Sequence, residues 1–146
     1  MKKPENVYRA ACALKLRKAK CFGNAIETGA TGSGVPDQYM TFMLVEGCKL
    51  RRCPSWIEYK VIRAPFSTKR KIPFRPGQLA WLNENEAHGG YSFVCIKYTN
   101  GYLFVPITRI TADGYPESSC ERLTFPFDAP RVMQIMARHV ADLARD

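Results

Sequence analysis

Apolar positions along this chain follow two periods. From Glu5 to Lys18 they recur at helical spacing, with Val7, Ala10, Ala11, Leu14 and Cys12 forming a stripe between basic residues. Cys21–Thr28 reads as a short strand, ended by the run Gly29-Ala30-Thr31-Gly32-Ser33-Gly34. Gln38–Val45 reads as a second strand, rich in Tyr, Thr, Phe, Met and Val, and Glu46–Lys49 as a turn. Pro54 delimits the next element, a third strand over Trp56–Arg63 that is dense in β-branched and aromatic residues. A basic loop covers Ala64–Arg75, and Pro76 then opens a helix to about Ala87, stopped by His88-Gly89-Gly90. Two more strands, Tyr91–Tyr98 and Tyr102–Ile107, flank Asn100-Gly101, a strong hairpin signal. Asp128 can cap a last helix with a stripe at Val132, Ile135, Met136, His139/Val140 and Leu143. The order α-β-β-β-α-β-β-α predicts an α/β domain around a mixed central sheet.

Composition narrows the class. The chain has 146 residues, 46% of them hydrophobic and 12% aromatic, enough for one core but not two and too apolar for a disordered basic tail. The longest purely apolar run, around Phe42–Val45, is far short of a membrane span. Met1-Lys2-Lys3-Pro4 leads straight into a polar segment, so a soluble, intracellular and not secreted protein is expected.

Charge adds more. There are 22 Lys+Arg against 13 Asp+Glu, a net of +9. Residues 1–75 carry a net of +11 and residues 76–146 a net of −2. Clusters fall at Lys15/Arg17/Lys18/Lys20, at Lys49/Arg51/Arg52 and at Arg63/Lys69/Arg70/Lys71/Arg75. Three clusters with few compensating acids point to a phosphate backbone as partner. Six cysteines invite a zinc reading, but Cys48 and Cys53 (C-x4-C) have no second tight pair, and His88 and His139 stand alone. Cys12 and Cys95 read as small core residues.

The few acids of the basic half then need a reason. Gly34-Val35-Pro36-Asp37 sets an aspartate at the mouth of the second strand, and Glu58-Tyr59-Lys60 sets a glutamate and a lysine two apart on the third. Residues i and i+2 share a strand face, so Glu58 and Lys60 point the same way. Asp37 joins them if the two strands form a hairpin. Two carboxylates beside one ammonium on an apolar strand are costly to bury, and a hard divalent cation such as Mg²⁺ would compensate them. Held by Asp37, Glu58 and the Tyr59 carbonyl, it would polarise a phosphoryl oxygen, with Lys60 orienting a water or stabilising charge. A bare Glu58–Lys60 surface pair is the plain alternative. The surrounding Trp56, Ile57, Tyr59, Val61 and Ile62 weigh against it, since they mark a strand buried on both faces.

These residues resemble the PD-(D/E)XK nuclease superfamily. Pro36-Asp37, Glu58-Tyr59-Lys60 and Gln78 in the following helix stand in its order, and His88-Gly89-Gly90-Tyr91-Ser92-Phe93 is similar to the strand entry of RecU-type resolvases. The likeness covers about residues 5–107 and is nearest to small Holliday junction resolvases, RecU-type or archaeal-type, and VRR-NUC nucleases. It implies a restriction-endonuclease-like core within one nuclease domain over residues 1–146, with a C-terminal helical extension over about 128–145. It implies Glu5 as a further catalytic acid, with Glu27 as a rival. Gln78 would orient Lys60 or contact phosphate, or serve only as a polar residue of the first helical turn. Ser33, Lys49, Arg51, Arg52, Arg63, Lys69, Arg70, Lys71 and Arg75 become the candidate DNA contacts, Lys49–Arg52 on an extended hairpin.

The resemblance also implies a Mg²⁺-dependent endonuclease, with Mn²⁺ as a substitute, resolving four-way or other branched DNA as a homodimer. The expected location is the cytoplasm of a bacterial or phage-infected cell, or its nucleoid. Flaps, ends and nicked duplex are alternative substrates, and a non-catalytic basic nucleic-acid-binding module is the alternative of another class. Trp81, Phe93 and Phe104 read as core. Tyr39 stays open, and Phe66, in the basic loop, could insert against a base. The last helix either packs on the sheet or forms a dimer contact.

Overall fold

The computed structural model describes residues 4–19, 22–25, 38–46, 49–111 and 122–144. Helix α1 (Pro4–Lys18) precedes strands β1 (Phe22–Ala25), β2 (Gln38–Glu46) and β3 (Lys49–Val61). Helix α2 (Gln78–Ala87) leads into β4 (Tyr91–Tyr98) and β5 (Gly101–Pro106). A 3-10 turn at Ile107–Arg109, the short β6 (Arg122–Leu123) and helix α3 (Ala129–Ala144) complete the order. The six strands form one sheet in sequence order, β1-β2-β3-β4-β5-β6. Among the described strands only β3 and β4 pair in parallel, so the chain between them must cross over, and α2 is that crossover.

Strand alternation divides the core in two. Ile57, Tyr59, Phe93 and Cys95 face a layer that includes Tyr8, Cys12 and Leu16 of α1 and Val132, Met136 and Val140 of α3. Val94 and Ile96 face the other way, onto Leu82 of α2 and Ile107. Every residue of β5 and all but Lys97 of β4 are buried, as expected of central strands covered on both faces. The last helix therefore packs on the sheet. Asp128 caps it by accepting the Arg131 N–H at 3.1 Å.

The expected elements are present with four differences. In α1 the buried positions are Tyr8, Cys12 and Leu16, whereas Val7 and Leu14 are more than half exposed. The inward face follows the four-residue repeat Tyr8, Cys12 and Leu16, and lies more than a third of a turn from the expected stripe. Pro54 does not delimit β3 but lies within it, opposite Thr41. Pairing with β4 begins only at Ser55, so Pro54 sits where the strand has one neighbour and a missing N–H is tolerated. The α2 helix starts at Gln78, two residues after Pro76, and β6 adds a strand to the sheet.

The hairpin is real: β2 and β3 run antiparallel from Gln38↔Ile57 to Glu46↔Lys49. Gly101 turns β4 into β5 at φ 150°, with Tyr98 as its partner across the turn. No helix among the described residues is long and apolar enough to cross a membrane.

Candidate active site

Glu58 and Lys60 lie near the C-terminal end of β3, on the face covered by α2, and both are almost fully buried at 1% and 3% exposure. Lys60 Nζ stands 3.3 Å from Glu58 Oε1. Gln78, itself completely buried, joins them: its Oε1 accepts from Lys60 Nζ at 2.8 Å, and its Nε2 donates to Glu58 Oε1 at 2.8 Å. An amide offers both a donor and an acceptor, so one side chain can bridge a carboxylate and an ammonium that a simple ion pair would leave less well satisfied.

The entry to α2 places that amide. Gly77 takes φ 86° just before the helix, a left-handed conformation that suits glycine, and Gln78 follows as the first helical residue. The Arg75 N–H donates to Gln78 Oε1 at 2.8 Å, and the Gln78 N–H to the Arg75 carbonyl at 3.1 Å. Lys60 Nζ also lies 5.8 Å from the centre of the Phe74 ring, so residues of the 62–77 loop close over the ammonium.

Two charges kept in an apolar layer are rarely retained for stability alone. Replacing such a pair by apolar groups is often neutral, whereas removing one partner costs about 3–5 kcal/mol. A buried carboxylate and ammonium sharing one amide make this cluster the candidate functional site.

The structure brings Glu58, Lys60 and Gln78 together. Asp37, Ser33 and Glu27 lie outside the described residues, as do Cys21, Cys48 and Cys120. Glu5 is half-buried in the first turn of α1. That helix packs on the opposite face of the sheet, where the Tyr8 ring meets Tyr59 edge-on at 6.2 Å. Among the described residues, no group of three or more His, Cys, Asp or Glu side chains could hold a metal ion. The described part of the site holds one buried carboxylate, that of Glu58, whose hard-ligand chemistry fits Mg²⁺ or Mn²⁺ and not a soft metal.

The basic candidates sit mostly at the surface. Arg51, Arg52, Arg63, Lys69, Lys71 and Arg75 are exposed, and Arg51 also donates to the Tyr91 hydroxyl at 3.0 Å. Arg70 is half-buried, and Lys49 begins β3. Phe66 is not a free wedge. Its ring packs edge-on against Tyr98 at 5.6 Å and carries the Arg122 guanidinium 4.6 Å from its centre. Tyr39 is likewise engaged, edge-on to Trp56, which in turn meets Trp81; both separations are 5.1 Å. Phe93 and Phe104 stack at 5.2 Å in the core.

His139 does not stand alone. It is 5% exposed and bonds through Nε2 to Glu86 Oε1, joining α3 to α2. Glu86 Oε2 accepts the Ser92 N–H at 2.8 Å, which ties the same pair to β4. Sequence gave no signal for it, since 53 residues separate the partners.

Burial pushes the Tyr8 hydroxyl and the Cys95 thiol well above their ordinary values. The two share a 3.5 Å hydrogen bond, and both stay protonated in the folded protein.

No protein-family model and no curated protein matches the sequence. Among solved structures, a chain of 16% identity and TM-score 0.53 matches over 87% of this chain and 98% of its own length. That chain is Hjc from Archaeoglobus fulgidus, a Holliday junction resolvase from an archaeal hyperthermophile, solved at 1.6 Å. The two proteins share a fold. The mixed sheet with flanking helices is thus the restriction-endonuclease-like α/β architecture that the sequence leads one to expect. The likeness is one of backbone architecture.

Proposed function

We propose that this protein is a metal-dependent endonuclease of the PD-(D/E)XK type that cuts branched DNA, four-way junctions above all. One observation carries the reading: Glu58 and Lys60 are buried side by side on the central strand and bridged by Gln78. The fold shared with an archaeal Holliday junction resolvase and the basic surface of residues 1–75 support it.

Asp37 completes the proposed site. It precedes Gln38, whose strand partner Ile57 adjoins Glu58. The proposal requires the hairpin to continue by one residue and set the two carboxylates on one face. Asp37, Glu58 and the Tyr59 carbonyl would then hold Mg²⁺, or Mn²⁺ in its place. Bound there, the cation would supply Lewis-acid polarisation of the scissile phosphate and a water acidified toward neutral pH. Glu58 keeps its carboxylate as an oxygen donor because Lys60 and Gln78 balance its charge. Lys60 holds a fixed positive charge where negative charge develops on the phosphate. Gln78 fixes the Lys60 ammonium in place, which avoids reorganisation at the moment of reaction. The candidates for a further acid are Glu27 and Glu5, the latter on the helix that covers the opposite face of the sheet. Ser33 and the exposed Arg51, Arg52, Arg63, Lys69, Lys71 and Arg75, with Lys49 and Arg70, would contact the phosphate backbone. A homodimer would deliver paired cuts on opposed strands.

The test is cleavage of a four-way junction beside flap, nicked and intact duplex of the same sequence, in Mg²⁺ and in EDTA. The expected result is junction cutting in Mg²⁺ alone, lost in Asp37→Asn and Glu58→Gln. Undiminished cutting by Asp37→Asn would sink the site. Preference for flaps or ends would keep the chemistry and change the substrate. Salt-sensitive binding indifferent to Mg²⁺, with no product from any substrate, would mark a binding module instead.

A further inference from the structure

A second feature lies on the other face of the sheet. Between the end of α1 and the segment leading into α3 are two adjoining clefts of about 610 and 260 Å³, which share Lys15, Phe125, Pro126 and Phe127. Phe125 is 43% exposed, unusually so for a large apolar ring, and stacks on Tyr102 at 6.1 Å. Lys97 holds its ammonium 5.4 Å from the centre of the Tyr8 ring and 5.7 Å from that of Phe125. Lys15 reaches the Phe127 carbonyl at 3.4 Å, and Lys18 lines the larger cleft. The lining holds one acid, Asp128, whose Oδ1 accepts the Arg131 N–H. The cleft thus combines three ammonium groups with a supported aromatic face.

Its place in the fold matters. Lys60 pairs with Ile96, the residue before Lys97, so the cleft stands level with the Glu58–Lys60–Gln78 site across the sheet.

We infer that this cleft binds an unpaired strand of the DNA substrate, stacking a base on Phe125 while Lys15, Lys18 and Lys97 take the flanking phosphates. Charge complementarity selects a polyanion, and the exposed aromatic ring selects one that carries flat bases. The inference rests on the reading of DNA as partner, but not on catalysis.

The experiment measures anisotropy of a labelled oligothymidine of about 12 nucleotides in EDTA, so that nothing is cut. Phe125→Ala should weaken binding by roughly 5- to 100-fold, Phe125→Leu should do the same with the apolar volume kept, and Phe125→Trp should restore it. Lys18→Glu should weaken binding and reduce the salt dependence by about one phosphate contact. Binding by Phe125→Leu within twofold of wild type overturns the inference. Equal competition by an oligoglutamate peptide also overturns it, because the cleft would then be reading charge without bases. Junction cleavage in Mg²⁺, run on the same proteins, separates the two failures. Cleavage with no effect of Phe125 sinks only the cleft, and Phe125-dependent binding without cleavage sinks only the nuclease.

Discussion

Gln78 is the residue on which the proposed site turns. Its amide satisfies a buried cation and a buried anion at once, so no substitute of similar size can do both. Gln78→Met would leave Lys60 and Glu58 each one hydrogen bond short, at about 1–3 kcal/mol in stability. Gln78→Glu would set a second carboxylate against Glu58 and remove the amide N–H that donates to it. Junction cleavage is expected to fall at least tenfold in Gln78→Met and further in Gln78→Glu, with denaturant melts run alongside. A melt shift without a rate loss would reduce Gln78 to scaffolding. Lys60→Ala removes the charge next to Glu58, and it should abolish turnover while junction binding, measured in EDTA, stays within about threefold, since the exposed arginines and lysines carry most of the phosphate contacts. The pairing of Glu58 with Lys60 was legible from the E-x-K spacing alone, because alternation on a strand fixes a shared face. The Glu86–His139 contact was not legible, because nothing local links a residue in α2 to one in α3.

At the scale of elements, periodicity served the strands better than the first helix. β4 and β5 are apolar apart from Ser92 and Lys97 and bounded by Gly90 and Asn100-Gly101, so only one reading fitted. In α1 two stripes compete, and the chain buries the one that sets the Tyr8 ring against Tyr59 and its hydroxyl on Cys95. Pro54 misled for a similar reason: proline stops a central strand, but β3 outruns β4 there and behaves as an edge. The β4–β5 turn gives a direct test. A Cβ on Gly101 would fall 2.5 Å from the Leu123 carbonyl oxygen, at a φ that side chains seldom adopt. Gly101→Ala should therefore cost about 1–3 kcal/mol and loosen β6 first. Hydrogen exchange at Leu123 beside an equilibrium melt would show both, and an unchanged melt would contradict the turn geometry.

For the whole molecule, the layer beneath α1 sets a pH response distinct from that of any catalysis. Tyr8 and Cys95 are held protonated by burial, whereas in the unfolded chain the thiol ionises near its ordinary value of 9.0. Below that pH the two states carry the same protons and stability is full. Above it the unfolded chain sheds protons that the folded one keeps, so stability falls as pH rises. Urea midpoints taken between about pH 7 and 10 should decline, and Tyr8→Phe should flatten the upper part of that decline. A flat wild-type profile would count against the burial of these groups. The division of charge into a basic first half and an acidic second half was visible from the outset, but its spatial meaning was not. Both halves contribute to one sheet, and the proposed site lies on the seam between them. Glu58 and Lys60 precede the crossover and Gln78 arrives with it. During synthesis, a chain that ends before residue 78 therefore holds a charged pair with no amide to bridge it. The emerging protein cannot assemble the constellation until α2 has formed, and the parallel pairing of β3 must then wait for β4. Any nuclease activity would appear late, as a property of the finished sheet, and a nascent or truncated chain would be harmless to nearby DNA.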